Sequence, residues 1–459
     1  MPTDLSLSMR LYLSRRLTPA RIFILGFIFI ILVGTVLLSL PSSARPGRLG
    51  LVDALFTSTS AVCVTGLTVI DIGRDLSLSG QTITLFLMQA GGLGITTFSV
   101  LFLGMMGFGI SAKSKDIVQS TFAHSPGIDF LHILRSVVLY TAVIEAAGAA
   151  ILFLCFVEGS DPGTAIWRAV YHAISAFNNC GYSIFPDSLM SYRDNPGVNL
   201  TVISLIIIGG IGFIVIHEII ERNRDQRKRL SVHTRIVVIT TSILIAAGAV
   251  LIYVLERKFM LKGLGLESQV LIPLFQSVTA RTCGFNTIDI GALTNESILV
   301  LLILMFIGAS PGSTGGGIKT TSAAVLFLLL WNRLKGNTHV NVFNRTIPEE
   351  TVTKTISIIF ASAFSIVLIT SFLLFSPSLS LPPDRTRHLF LEYLFEAVSA
   401  FGTVGLSMGV TPHLSTAQKL AVIALMFAGR VGPLTLALSL TLASRKKSIA
   451  YAEETVMVG

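Results

Sequence analysis

"SAVCVTG", residues 60–66, closes a short amphipathic run, "LVDALFTSTS" (51–60), that is too short to cross a bilayer yet lies between two long apolar stretches. The arrangement returns three times. "SAFNNCG" ends at Gly181 after "AIWRAVYHAI", "TARTCG" ends at Gly284 after "VLIPLFQSV", and "SAFGTVG" ends at Gly405 after "LEYLFEAV". The glycines stand 115, 103 and 121 residues apart. A long apolar run precedes each short segment (20–40, 130–157, 233–255, 353–376) and another follows it (80–107, 196–220, 296–331, 415–443). A second landmark trails each glycine by 24–28 residues: "GGLG" at 91–94, "GGIG" at 209–212, "GASPG" at 308–312 and "GRVG" at 429–432. One such glycine pair alone would read as a helix-packing spot. Two landmarks in one order, four times, read as an internal repeat.

With 459 residues, 52% apolar and 13% charged, and a mean hydropathy of +0.76, the chain reads as a polytopic membrane protein. Barrel strands would alternate over about ten residues, a pattern the runs do not show. The expected fold is therefore an all-α integral membrane protein. It comprises four tandem repeats of helix, re-entrant pore loop and helix, set pseudo-fourfold around one pore. Two long runs per repeat give about eight transmembrane helices, with four pore helices beside them. The expected boundaries are a cytoplasmic N-terminus at 1–19, repeats at 20–110, 111–223, 224–335 and 336–445, and a C-terminal tail at 446–459. The run 22–40 follows Arg15 and Arg16 and precedes "SSA" at 42–44, but it exceeds the ~7–15 residues of a signal-peptide core, so it reads as a retained helix.

Two spans per repeat keep every glycine turn on one side of the membrane. Twenty of the 34 Lys and Arg fall on the opposite side, among them Arg15, Arg16, Lys113, Lys115, Arg222 and Arg445. The positive-inside rule makes that side, and both termini, cytoplasmic. The net charge of +9 reflects this bias and not nucleic-acid binding. Acids such as Asp53, Asp71, Asp187 and Glu396 gather on the glycine-turn side, where a slightly acidic mouth would concentrate cations.

Irregular backbone at membrane depth is tolerated only where it is buried or lines a water-filled path, since each unsatisfied carbonyl in lipid costs several kcal/mol. Four glycine turns around an axis offer a ring of carbonyls able to replace a hydration shell. Glycine suits them because left-handed conformations carry no Cβ penalty. Half-helix C-termini aimed at the centre add partial negative charge. Both favour a cation.

Other chemistries find little support. Cys63, Cys155, Cys180 and Cys283 lack CxxC spacing, which argues against a transition-metal site or a redox pair. "GASPGSTGGGIKT" (308–320) approaches a phosphate-binding loop, but Ile318 separates Gly317 from Lys319 and an apolar helix stands where a strand is required. "HEIIE" at 217–221 lacks the second histidine of a zinc-protease helix. No set of nucleophile, base and orienter assembles, so no enzyme or catalytic residue is expected.

The stretches "TSTSAVCVTGLTVIDIG", "HAISAFNNCGYSIFPDSLMSY", "QSVTARTCGFNTID" and "EAVSAFGTVGLSMGVTP", with "GQTITLFLMQAGGLG" and "MFAGRVGPLT", resemble the ion-conducting membrane subunits of the Trk/Ktr/HKT potassium-transporter superfamily. The likeness runs from about residue 20 to the C-terminus, and the absence of an extra leading helix pair favours the Ktr branch. It implies potassium as the transported ion, with sodium a second candidate. The selectivity filter carried over comprises Val62, Cys63, Val64, Thr65 and Gly66; Asn178, Asn179, Cys180 and Gly181 after Phe177; Arg281, Thr282, Cys283 and Gly284 after Ala280; and Gly402, Thr403, Val404 and Gly405 after Phe401. Backbone oxygens would make most contacts. Unlike residues before each glycine suggest one or two well-defined ion sites.

The resemblance also implies an intramembrane gate at Gly308, Ala309, Ser310, Pro311, Gly312, Ser313, Thr314, Gly315, Gly316, Gly317 and Ile318, beneath the filter. The physics agrees, because Pro311 removes a donor and each glycine weakens helix by about 1 kcal/mol. Arg430, in the fourth "GGxG" landmark, reads as an electrostatic barrier or loop latch. Lys319 is expected to face the cytoplasm. Arg281 is expected behind the filter, bonded to carbonyls or to an acid such as Glu396. Glu145 reads as a buried hydrogen-bond anchor ahead of an ion relay. Family members assemble as homodimers on a cytoplasmic ring of nucleotide-binding (RCK-type) regulatory subunits, which would carry any ATP or ADP. "ERNRDQRKR" (221–229) is a candidate contact for that ring, and "YAEETVMVG" looks like the family tail reaching the dimer interface. The expected function is gated potassium uptake across the bacterial plasma (inner) membrane, with sodium stimulation a further option. The alternative is a sodium- or proton-coupled carrier working by alternating access, whose inverted repeats would put the turns on opposite sides.

Overall fold

The computed structural model describes residues 19–94, 130–433 and 436, apart from 46, 228 and 379–381. The expected N-terminal segment, Lys113 and Lys115, the run beyond Gly94 and the C-terminal tail lie outside the described residues, Pro19 and Leu436 aside.

Fourteen helices follow in order among the described residues, short turns aside. They are α1 (Pro19–Leu38), α2 (Leu51–Val62), α3 (Leu78–Leu93), α4 (Phe130–Phe156), α5 (Pro162–Phe177), α6 (Pro196–Ile211) and α7 (Phe213–Arg224). Then come α8 (Val232–Glu256), α9 (Leu266–Thr279), α10 (Asn295–Phe306), α11 (Thr320–Leu334), α12 (Glu349–Ser378), α13 (Pro383–Gly402) and α14 (Thr416–Val431). A two-residue hairpin, Asn341–Val342 with Arg345–Thr346, joins α11 to α12.

Local chemistry starts these helices where they start. Asp161 accepts from the amides of Gly163 and Thr164 with Pro162 at the first helical position of α5, and Asn195 caps α6 ahead of Pro196. Ser415 and Gln418 form a reciprocal capping box on α14.

The short helices α2, α5, α9 and α13 each pack against the long helix before them, α1, α4, α8 and α12. Each also packs against the second helix of another set: α3 on α5, α6 on α9, α10 on α13, and α14 on α2. The last contact closes the series.

Among the described residues, three helices are long and apolar enough to cross a membrane: Arg135–Gly159, Val232–Glu256 and Glu349–Phe375. Pro196–Ile211 and Phe213–Arg224 pass together, bent by 98° at Gly212. The sequence expectation of about eight spans exceeds this tally because second helices are broken. One breaks at Gly212 and another between Phe306 and Thr320, while α3 and α14 end after 16 residues each, at Leu93 and Val431.

Candidate functional site

At each motif a short helix ends and the chain turns through the same two conformations. Two residues before the glycine the backbone is left-handed, at Val64 (φ 56°), Asn179 (57°), Thr282 (76°) and Thr403 (50°). The glycines follow at 90°, 72°, 94° and 94°. Positive φ in valine and threonine is strained, and persists only where the surroundings over-determine it. Here they do. All four left-handed residues are fully buried, and a hydroxyl clasps three of the turns. The amides of Gly66, Gly284 and Gly405 each donate to a hydroxyl oxygen at 3.1 Å, those of Ser60, Thr279 and Ser399. Ser60 and Thr279 in turn donate to the carbonyls of Leu67 (2.8 Å) and Phe285 (2.6 Å). The sequence reading missed these clasps, although a serine opens three of the four motifs at the same offset.

The four glycines converge. A Cβ added to Gly66 would fall on the carbonyl oxygen of Cys180, one on Gly181 on that of Cys283, one on Gly284 on that of Val404, and one on Gly405 on that of Thr65. The chain of contacts runs from each turn to the next and returns to the first. All four glycines line one cavity of about 370 Å³, together with Asp71, Asp187 and Asn286. Carbonyls packed this closely can replace the water around a small monovalent cation. Among the described residues, no cluster of three His, Cys, Asp or Glu could hold a metal ion, and all four cysteines are free thiols.

Polar side chains brace the turns from behind. Asn178 Nδ2 donates to Gln89 Oε1 (2.7 Å) and Glu145 Oε1 (3.0 Å), so Glu145 is an anchor for the second turn. Tyr182 Oη donates to the Thr57 carbonyl at 3.1 Å, tying the second turn to α2. Arg281 is buried with its guanidinium towards α8, where Nη2 lies 3.5 Å from Thr241 Oγ1. The expected Glu396 partner is taken elsewhere, since that carboxylate accepts from Ser407 (2.9 Å) and Thr411.

Residues 308–318 form an irregular loop between α10 and α11, pinned by a bridge between Ile307 and Ile318. Its backbone docks on the break in the α6–α7 pair: Ser310 N donates to Gly210 O (3.0 Å), Thr314 N to Gly209 O (3.2 Å), and Phe213 N to Gly312 O (3.0 Å). Arg430 bonds to the carbonyls of both Thr314 and Gly91, spanning the loop and the end of α3. Lys319 folds back along the loop, with Nζ 2.8 Å from the Gly315 carbonyl oxygen.

The TrkH family of cation transport proteins matches over residues 21–449, and the chain belongs to that family. The chain is thus a membrane cation transporter and not an enzyme. It is 38% identical to the Ktr system potassium uptake protein B of Vibrio alginolyticus over 441 residues, covering 96% of this chain and 94% of that one. Its identity to the protein of the same name in Bacillus subtilis (strain 168) is 37% over 447 residues, with 97% of each covered. The potassium transporter TrkH from Vibrio parahaemolyticus superimposes with a TM-score of 0.69 at 22% identity, over 91% of this chain and 84% of that one, a likeness of fold.

Proposed function

We propose that this chain is the ion-conducting subunit of a potassium-uptake system in a bacterial plasma membrane. Its four helix, pore-loop, helix repeats surround one pore, with the boundaries given above and both termini cytoplasmic. Potassium sheds water at the carbonyls of the filter residues from Val62 to Gly66, Asn178 to Gly181, Arg281 to Gly284 and Gly402 to Gly405. The loop Gly308–Ile318, latched by Arg430, closes the inner side. A homodimer of the chain sits on a cytoplasmic ring of nucleotide-binding regulatory subunits, which moves the loop, and sodium stimulates transport.

The observation that carries this reading is the mutual approach of Gly66, Gly181, Gly284 and Gly405, each set against a carbonyl of the next turn. Turns gathered on one side also disfavour an inverted-repeat carrier.

The test is ion flux in liposomes holding purified protein, under potassium or sodium gradients. Potassium should move down its gradient, faster once Ser310–Gly316 is deleted. Accumulation of potassium against its gradient, driven by sodium or protons, would favour the carrier instead.

A further inference from the structure

Three consecutive loop residues meet three successive turns. Thr314 Oγ1 accepts from Asn179 Nδ2 at 2.9 Å and donates to the Phe177 carbonyl at 3.1 Å, so it holds both the side chain and the backbone of the second turn. A Cβ on Gly315 would land on Thr282 Oγ1, and one on Gly316 on Thr403 Oγ1. Asn179, Thr282 and Thr403 are the left-handed residues of the second, third and fourth turns.

We propose that these three side chains are the seat of the loop: positioning residues that hold 314, 315 and 316 in register, one loop residue to one turn. The inference rests on the pore reading above and names what couples its filter to its gate.

Backbone conformation does not explain the glycines at 315 and 316. Positive φ in the loop occurs at Gly312 and Gly317, and neither 315 nor 316 shares it. What those two positions require is space, and the threonines of the third and fourth turns fill it. Both threonines are fully buried, and their hydroxyls have no hydrogen-bond partner, so shape alone fixes the fit. The second turn uses a hydrogen bond instead, made by the one loop residue of the three that has a side chain to offer. The first turn has Val64 at the equivalent position, and its side is reached by Arg430, which joins Thr314 O to Gly91 O. The loop is thereby referred to all four quarters of the ring.

The register makes a prediction that general crowding does not. The three atoms nearest a Cβ on Gly316 all belong to Thr403, whereas those nearest one on Gly315 belong to Thr282 and Ala309, so Gly316 gives the cleaner test. Gly316→Ala should unseat the loop, raising potassium flux without the regulatory subunit several-fold and lowering the melting midpoint of the purified full-length protein. Thr403→Ala in the same chain should restore the melting midpoint, and Thr282→Ala should not. If the matched and crossed pairs behave alike, or Gly316→Ala melts like the parent, the register is wrong. Melting decides even in a protein that carries no potassium, so failure of the pore reading is told apart from failure of this one. Should Gly316→Ala not fold, Thr314→Val, which loses the bonds to Asn179 and to the Phe177 carbonyl of the second turn, must melt lower than Thr314→Ser, which keeps them. Equal melting overturns the proposal.

Discussion

Lys419 Nζ lies 2.7 Å from Asp53 Oδ1, an ion pair that binds α14 to α2 across 366 positions of sequence. It stands where the last set of helices meets the first, and so acts as the clasp of a closed series. The side chains retain 15% and 32% of their exposure, which limits the pair to about 1 kcal/mol. Lys419→Met and Asp53→Asn should each lower the melting midpoint, and the double variant should lose less than the two losses combined. Additive losses in that cycle would mean the residues do not interact.

Arg430 holds two carbonyls that no neutral residue of similar size could both satisfy. Charged hydrogen bonds are worth about 1.5–3 kcal/mol, so Arg430→Gln should raise basal potassium flux by ~10–100-fold if the loop is the barrier. Arg430→Lys should fall between, because an ammonium lacks the planar fork that reaches two sites. Liposome flux without regulatory subunits measures this, and an Arg430→Gln protein that stays as closed as the parent would rule out a latch.

The mostly helical architecture, the positive φ of the four glycines and the irregular backbone at 308–318 were legible in the sequence because each depends on local residue type. Glycine and proline signal broken backbone wherever they occur in an apolar run. Partnerships were not legible in the same way. Glu396 pairs with Ser407 and Thr411, not with Arg281, because its choice depends on the path of the chain after Gly405. Lys319 stands just ahead of α11 in the sequence, and nothing local announces that its Nζ turns back to the carbonyls of Gly315 and Gly316. The docking of 310–314 on Gly209 and Gly210 joins positions about a hundred residues apart, which no local pattern announces.

Glu145 anchors Asn178 together with Gln89, deep in α4, where an unpaired polar atom costs about 1–3 kcal/mol. Glu145→Gln keeps an acceptor for Asn178 Nδ2 but turns its own NH2 onto Gln89 Nε2, losing that bond, and should melt between the parent and Glu145→Leu. Glu145→Leu leaves Asn178 Nδ2 with Gln89 Oε1 and the Ile174 carbonyl but takes the acceptor from Gln89 Nε2, and should melt lower and weaken the preference for potassium over sodium. A Glu145→Leu protein with unchanged melting would remove the anchor role.

Gly405 and Gly409 separate the two reasons a glycine can be required. Their backbones are nearly the same, at φ 94° and 91°, so a side chain at either position costs about 1–2 kcal/mol in conformation. Their surroundings differ. A Cβ on Gly405 meets the Thr65 carbonyl and lies 3.0 Å from the Gly66 Cα, whereas nothing stands within 4 Å of one on Gly409. Gly409→Ala should therefore lower stability by the conformational term alone and leave potassium affinity intact. Gly405→Ala carries the same term and also displaces two carbonyl-bearing turns, so potassium uptake should lose affinity and its preference over sodium. Uptake assays in cells lacking their own potassium systems, paired with melting of both proteins, test the contrast. Equal loss of affinity in the two variants would show that backbone conformation, and not the close approach of the turns, sets the ion preference.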